Sequence, residues 1–290
     1  MLGPEEIRAL YLSACRAELR ALKPGNVHVR AAGHGMTVAE FRASGVASAG
    51  PMADPVLSVG ARIYRAVRQS RAVAGCNTNL GIVLLCAPLA EAALHGRGHD
   101  FRQRLRRVLN KLDRRDAAYA FRAIRLSNPA GLGEAPRHDV RQPARVTLLT
   151  AMDQARRRDA IARQYASGYS DVFRIGIPQL LQASARWGRG DWAVSAAYMA
   201  FLATILDSHV RRKFGLHRAR TLRVRAGVLH QRLMRAEDPS ALDAELMRFD
   251  AELKAEGINP GTSADLTVAT LFAAALQGEL RAAEESPRPL

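Results

Sequence analysis

Residues 191–209, DWAVSAAYMAFLATILDSH, are the stretch that decides the fold class. Apolar or small side chains occupy nearly every position between Asp191 and Asp207. A helix formed here would have no polar side, and helices that are apolar all round are buried in a protein core. The stretch therefore predicts a central helix that packs against other helices.

The segments on either side of this stretch carry helical signals of their own. The helix predicted over 4–22 opens with a proline, followed by Glu5 and Glu6, where the helix dipole favours anions. Thr37 begins the sequence TVAE, a capping box that predicts a helix start. Apolar residues recur at three- and four-residue steps over 56–67, 105–112 and 242–253, and the last helix is predicted over about 264–284.

Strand signals are scarce. The short apolar piece at 146–149 is the best strand candidate, but no second piece pairs with it convincingly. We find no internal repeat, low-complexity tract or Ser/Gly-rich linker. We therefore predict one all-α domain over 1–290, with roughly ten helices and with function carried by the polar loops between them.

The net charge of the chain indicates what kind of molecule it binds. The 290 residues carry a formal charge of +16, which favours an anionic partner. Only four of the 43 basic residues are Lys, and an Arg- and Ala-rich composition is typical of a GC-rich genome. Zinc-finger spacing, aromatic–basic alternation and a basic tail are all missing. We expect phosphorylated small molecules as partners, with nucleic acid unlikely and a homodimer as the candidate assembly.

The cysteines and apolar runs bear on location. Cys15, Cys76 and Cys86 form no CxxC pair, which favours a reducing compartment. The acidic, amphipathic start is unlike a secretory signal. The longest apolar run, GIVLLCAPLAEAAL, is shorter than a membrane span and is interrupted by Pro88 and Glu91. We therefore predict a cytoplasmic protein with no membrane segment.

Three Gly- and Asn-containing loops each precede a predicted helix. They are KPGNVHVRAAGHGM (23–36), GCNTNLG (75–81) and NPGTSADL (259–266). Each has an ordinary structural explanation, as a turn or as a helix cap from Asn, Thr or Ser, and in the last loop Thr262 or Ser263 would cap and Asp265 would lie in the first turn. Brought together, however, three such loops would make a cradle for a polyphosphate.

Charged pairs supply further candidates. Asp159 with Arg163, and Asp207 with Arg211, are spaced four residues apart. Such a pair is either a surface ion pair or an acid that holds Mg²⁺ beside a base that holds phosphate. The Gly- and Pro-rich segment 127–140, SNPAGLGEAPRHDV, is predicted to be a lid or binding loop.

Five blocks together resemble one enzyme family. KPGNV from residue 23, GCNTNLGIVLLCAPL from 75, RDAIARQYASGYSDVF from 158, DSHVRRKFG from 207 and NPGTSADLTVATLF from 259 are similar, in this order, to blocks of the triphosphoribosyl-dephospho-CoA synthases. The resemblance covers essentially the whole chain. It implies an all-α enzyme that takes ATP and dephospho-CoA, displaces adenine and forms an α-glycosidic bond to a ribose hydroxyl.

Two stretches depart from the members associated with lyases. Those members look like GAHxDM and NTHKG, whereas this chain has GHGM and NTNLG, which retains His34 and Met36 and places Asn79 and Leu80 where a His and a Lys stand. The chain looks more like the branch linked to tetrahydromethanopterin-dependent one-carbon metabolism. That resemblance implies phosphoribosyl pyrophosphate as an alternative donor, because the bond formed is of the same type.

A transfer at a ribose carbon must hold phosphates, stabilise the leaving group and deprotonate the acceptor. Asp159 is our candidate general base, and Asp207 and Asp265 are candidate ligands of Mg²⁺. Asn77 and Asn79, with Thr78, are expected to orient the ribose or base. Phosphate and nucleotide contacts are assigned to Lys23, Gly25, Asn26, His28, Arg212 and Lys213. A non-catalytic nucleotide-binding relative is the alternative, since one acid of the family pattern is missing.

Overall fold

The computed structural model describes residues 1–96, 98, 100–129 and 131–285. Over these residues the chain forms helices and no strand, which confirms the all-α class. Thirteen α-helices are present there rather than roughly ten. They are α1 (Pro4–Arg20), α2 (Val38–Ala53), α3 (Val59–Ala74), α4 (Leu80–His95), α5 (Phe101–Lys111), α6 (Arg114–Ser127), α7 (Leu148–Ala155), α8 (Ala160–Ser167), α9 (Ile177–Trp187), α10 (Asp191–Thr204), α11 (Ser208–Arg235), α12 (Asp243–Ala255) and α13 (Gly261–Glu285).

The centre of the larger core is α4. Its sequence is apolar all round, and side chains on every side of it are buried. Helices α2, α3, α5 and α13 pack around it. Helix α13 also packs against α1 and α10. A second apolar cluster joins α10, α11 and α12. The first turns of α4 and α13 therefore lie close together, where the two helices pack.

The helix predicted across 191–209 is shorter than expected. Helix α10 is buried from Ala193 to Leu202, as a central helix should be, but it ends at Thr204. The chain is extended at Ile205, and the Asp207 carboxylate then accepts backbone hydrogen bonds at the start of α11. A side chain that caps a new helix cannot also continue the previous one, so the prediction was wrong at its end.

Most of the predicted helix starts are confirmed, and the strand is not. Thr37 Oγ1 accepts a bond from Glu40 N, and Thr37 N donates to Glu40 Oε2 at 2.6 Å, which is the predicted capping box. The strand candidate at 146–149 is wrong, because Thr147 caps α7 and the piece enters that helix. Helix α11 is bent where Gly215 has φ 83°.

Within the described part of the chain, no single helix is long and apolar enough to cross a membrane. Helices α10 and α11 satisfy the length and composition criteria only as a pair, and they are bent by 44° relative to each other. Helix α10 supplies much of the second core cluster, which accounts for its apolar composition.

The close approach of α3 to α6 gives a test of the fold. A Cβ added at Gly60 would overlap the backbone of Asp116, which cannot move aside as a flexible side chain can. We expect Gly60→Ala to lower the free energy of unfolding by about 1–3 kcal/mol in urea titrations. Gly227→Ala is the matched control, since a Cβ there meets nothing within 4 Å, and it should gain about 0.5–1 kcal/mol of helix propensity. Equal stability of the two variants would contradict this packing.

Candidate active site

A cleft of about 620 Å³ opens where four helices begin. Its lining includes residues at the starts of α4, α8, α11 and α13, such as Gly81, Ala162, His209 and Gly261. The ends of α6 and α7 and the segment 131–140 line it as well. The amino end of a helix carries partial positive charge, which favours an anion, and Asp159 at α8 and Asp207 at α11 and α13 offset part of that charge.

The charged side chains of the cleft add to the positive charge of the helix starts. Its cationic lining comprises Arg71, Arg158, Arg211, Arg212 and Lys213, and its acidic lining comprises Glu134, Asp139, Asp159 and Asp265. Three of the four acids already have cations, since Asp159 Oδ2 accepts from Arg212 Nη1 at 2.6 Å, and both Asp139 and Glu134 accept from Arg141. The Arg141 bonds hold the pKa of Asp139 well below its usual value. In the described structure Arg71 and Arg158 make no ion pair, so the cleft keeps positive charge for a ligand.

One part of the cleft is apolar. Leu84 of α4, Phe121 and Ile124 of α6, and Met152 of α7 line it, with Leu132 and Val140 contributed by the segment predicted as a lid. Cationic helix starts and an apolar wall in one cavity suit a ligand with phosphates and a ring or chain.

The second loop divides its polar residues between the cleft and the core. Asn77 lines the cleft, and its Oδ1 accepts from Leu80 N at 3.2 Å. Thr78 Oγ1 donates to Ser44 Oγ at 2.6 Å, and Asn79 Nδ2 donates to Ser70 Oγ at 3.0 Å. Neither Thr78 nor Asn79 is part of the cleft lining; both fasten α4 to α2 and α3.

Lys23, predicted to contact phosphate, lies outside the cleft in a buried ion pair. Its side chain is fully buried, forms an ion pair with Glu18 and donates to Asn26 Oδ1 at 3.1 Å. Burial is the main reason that the pKa of Lys23 is lowered, and Glu18 partly offsets it. The ammonium group is therefore occupied within the protein and lies outside the cleft lining.

Residues 25–28 of the first loop are also held by contacts within the protein. Gly25 N donates to Asp250 Oδ1 at 2.8 Å, and its φ of 83° with Pro260 Cδ close by requires glycine. His28 is fully buried with Nε2 3.4 Å from Asp250 Oδ2, and burial lowers its pKa. Asn26 Nδ2 donates to Asn259 Oδ1 at 2.8 Å. Of these residues only Asn259, from the third loop, lines the cleft, so residues 23–28 support the site from behind, whereas His34 and Met36 at the other end of the first loop line it.

Asp207 does not fit the predicted role of metal ligand. Its Oδ1 accepts from His209 N and Val210 N, and its Oδ2 accepts from Ser263 N and Oγ at 2.8 and 2.9 Å. Four donors fill a carboxylate. The residues that the structure describes include no group of three His, Cys, Asp or Glu side chains suited to a metal ion.

Asp265 lines the cleft, whereas Asp207, which was predicted to bind metal together with it, does not. The helix begins at Gly261, so Thr262 and Ser263 lie inside it rather than capping it, and Asp265 lies beyond the first turn. Its carboxylate rests against Gly81, where an added Cβ would overlap Oδ2. Burial, and next the charges of Asp207 and Glu18, hold the pKa of Asp265 well above its usual value.

The cleft brings together five of the predicted residues, namely Asn77, Asp159, Asp265, Arg212 and Lys213. The spaced pairs predicted from sequence are replaced by other partners: Arg163 pairs with Asp171 at 2.6 Å, and Arg211 donates to the Arg157 carbonyl at 3.0 Å. Asp159 also caps α8 through Ala162 N.

Comparison with known proteins identifies the family. The family described as ATP:dephospho-CoA triphosphoribosyl transferase (CitG) matches residues 4–283. The chain belongs to this family. It is therefore an enzyme of the triphosphoribosyl transferase group.

Two relatives agree with this assignment. A protein of Stutzerimonas stutzeri (strain A1501), named as a probable 2-(5''-triphosphoribosyl)-3'-dephosphocoenzyme-A synthase, is 28% identical over 237 residues, which are 76% of this chain and 72% of that protein. A crystal structure from Archaeoglobus fulgidus, provisionally named a triphosphoribosyl-dephospho-CoA synthase, aligns with a TM-score of 0.62 at 26% identity. It covers 81% of this chain and 98% of that one.

Sequence reasoning missed several residues that line the cleft of this transferase. They are His34, Arg71, Arg158 and His209. His34 Nε2 lies 2.8 Å from the Gly25 carbonyl, and burial is the main reason that the pKa values of His34 and His209 are lowered. His209 and Arg158 lie in blocks of the family resemblance, DSHVRRKFG and RDAIARQYASGYSDVF, and His34 lies in GHGM, where the chain departs from the lyase-associated members; these positions were the available signal. Arg71 carried none, because it lies inside an ordinary amphipathic helix.

The buried Glu18–Lys23 pair can be tested separately from the cleft. Lys23→Met leaves Glu18 buried without a cation, so we expect it to lower the free energy of unfolding by about 3–5 kcal/mol. Glu18→Leu combined with Lys23→Met should recover most of this loss. Urea unfolding measures the stability, and titration with ATP measures affinity in the double variant. A large loss of ATP affinity in that stable double variant would restore Lys23 as a phosphate ligand.

Proposed function

We propose that the cleft binds the triphosphate of ATP and that the enzyme transfers the triphosphoribosyl group to dephospho-CoA, with release of adenine. The observation that supports this most is the convergence of four helix starts with Arg71, Arg158, Arg211 and Lys213 in one cavity. Helix amino ends and arginines are the groups that bind phosphates in proteins. The apolar wall would take the adenine ring or part of the acceptor.

The chemistry of the transfer suits this arrangement. Displacement at a ribose anomeric carbon develops positive charge on the sugar, as in glycoside cleavage. Anchoring the triphosphate fixes the ribose in place, which makes attack by a bound hydroxyl effectively intramolecular. The segment 131–140 would cover the ligand and exclude water, which otherwise competes as the acceptor.

Magnesium enters this proposal with the donor rather than as a resident ion. Asp207 is filled by four donors, and the described residues provide no three-acid cluster for a cation. A triphosphate carries its own Mg²⁺ and the arginines can neutralise the remaining charge.

The positions at which the sequence differs from the lyase-associated members favour a second candidate ribose donor. His34 and Met36 of GHGM and Leu80 of NTNLG line the same cleft. Leu80, which stands where those members have a Lys, is therefore a difference on the cleft surface, and the retained His34 and Met36 flank the place of the missing acid. Phosphoribosyl pyrophosphate, with an alcohol acceptor from a tetrahydromethanopterin-type pathway, is the second candidate substrate pair.

Product analysis separates the candidates. The purified enzyme is incubated with Mg²⁺, dephospho-CoA and ATP, or with Mg²⁺, a ribitol-type alcohol and phosphoribosyl pyrophosphate. Chromatography then detects adenine from the first pair and pyrophosphate from the second. Adenine release dependent on dephospho-CoA supports the main proposal. Pyrophosphate release dependent on the alcohol supports the second, and no product from either pair contradicts both and favours a non-catalytic relative.

The phosphate contacts predict a specific kinetic change. Arg158→Gln should raise the KM for the donor about 10-fold or more, because a charge-assisted contact contributes roughly 1.5–3 kcal/mol. Arg8→Gln, on the exposed face of α1, is the matched control and should leave KM unchanged. Steady-state kinetics over a range of donor concentrations measures both. Equal KM values for the two variants would place the phosphates elsewhere.

A further inference from the structure

Four carboxylates lie close enough together to influence one another at the back and wall of the cleft: Glu18, Asp159, Asp207 and Asp265. The first three are engaged. Glu18 pairs with Lys23, Asp159 binds Arg212 and Ala162 N, and Asp207 receives its four donors.

Asp265 differs from the other three. Across the described residues, its carboxylate receives no hydrogen bond and forms no ion pair, although it is half-buried and lines the cleft. Its oxygens are not sealed in the core but open into the cleft, where a ligand can reach them. A carboxylate that lines a cleft, has no protein partner and is surrounded by other acids is a candidate functional group.

The packing around Asp265 fixes its position. A Cβ at Gly81 would overlap the carboxylate and would also come within 2.8 Å of Ile161 Cδ1. The carboxylate therefore lies against the first turn of α4, and Ile161 of α8 approaches the same glycine. Only a glycine at position 81 leaves room for the Asp265 carboxylate.

We propose that Asp265 is the catalytic base, whose carboxylate takes the proton from the acceptor hydroxyl during transfer. This inference rests on the proposed function and adds to it. The acceptor oxygen forms a bond to the ribose anomeric carbon, and the bond from that carbon to the adenine nitrogen breaks. Adenine leaves with the electron pair and takes a proton from water. The hydroxyl proton passes to Asp265 and from there to solvent.

The other bases at the cleft are less suited to this step. Both oxygens of Asp159 are used, one of them by a guanidinium, so the predicted general base is better described as the group that orients Arg212. Arg141 holds Asp139. Asp265 has oxygens without a protein partner among the described residues, and in its ionised form a carboxylate whose pKa is raised by burial and by neighbouring carboxylates takes up a proton more readily than an ordinary one. The remaining competitors are the three histidines that line the cleft, His34, His138 and His209, of which His209 lies at a helix start.

The test compares Asp265→Asn with His209→Gln in the full-length enzyme. For Asp265→Asn we expect kcat for adenine release to fall about 10²–10⁴-fold, the usual contribution of a general base. The KM for the donor should stay within about 3-fold, since the phosphate contacts remain. The melting temperature at neutral pH should equal or exceed that of the unmodified enzyme, because an acid whose pKa rises on folding destabilises the folded state there and an amide does not titrate. A merely structural residue would instead lower the melting temperature and change kcat and KM together.

Each other outcome overturns the proposal in a recognisable way. If Asp265→Asn keeps kcat within about 3-fold, or if His209→Gln alone loses activity, the base is another group and the proposed function stands. If Asp265→Asn loses affinity for the Mg²⁺–ATP complex but keeps kcat at saturation, Asp265 holds the cation instead. If the unmodified enzyme releases neither adenine nor pyrophosphate, the proposed function is wrong. The proposed role of Asp265 as catalytic base is then wrong as well.

Discussion

The Asp207 carboxylate is the constraint on which the cleft depends. It caps α11 through His209 N and Val210 N, and it binds Ser263 N and Oγ in the first turn of α13. Two helices that are far apart in sequence thus begin at the same point. Because each first turn carries partial positive charge, placing them together without a carboxylate between them would be unfavourable. One buried acid therefore both joins the helices and lets their positive ends face a common ligand.

A layer of buried polar groups supports the cleft from behind. Lys23 links Glu18 to Asn26, Asn26 binds Asn259, and Asp250 holds the backbone of Gly25. Buried ion pairs of this kind add little net stability, but they have strict geometric requirements and disfavour alternative packings. The first loop is rich in hydrogen-bonding groups because it docks the N-terminal helix onto α12 and α13. Asn259 belongs to this buried layer and also lines the cleft.

Local signals in the sequence were sufficient wherever the determining interaction is local. The Thr37–Glu40 capping box and the apolar α4 were readable because their partners lie within a few residues or on every side. Local spacing failed for charged pairs. Asp159 binds Arg212 rather than Arg163, since a tertiary guanidinium approached from another helix. A residue four positions away is only one of the partners that a folded chain offers to a carboxylate.

By itself, the sequence determined the all-α class and the order of family blocks, and it identified Asn77, Asp159, Arg212, Lys213 and Asp265 as residues of interest. Only the tertiary structure decided that Lys23, Asn26 and His28 are buried supports, that Asp207 is a double cap, and that Asp265 has no partner among the described residues. The physical reason is that burial and hydrogen-bond partners are properties of long-range packing. Sequence shows which side chains can ionise or donate, and packing decides whether water, protein or ligand satisfies them.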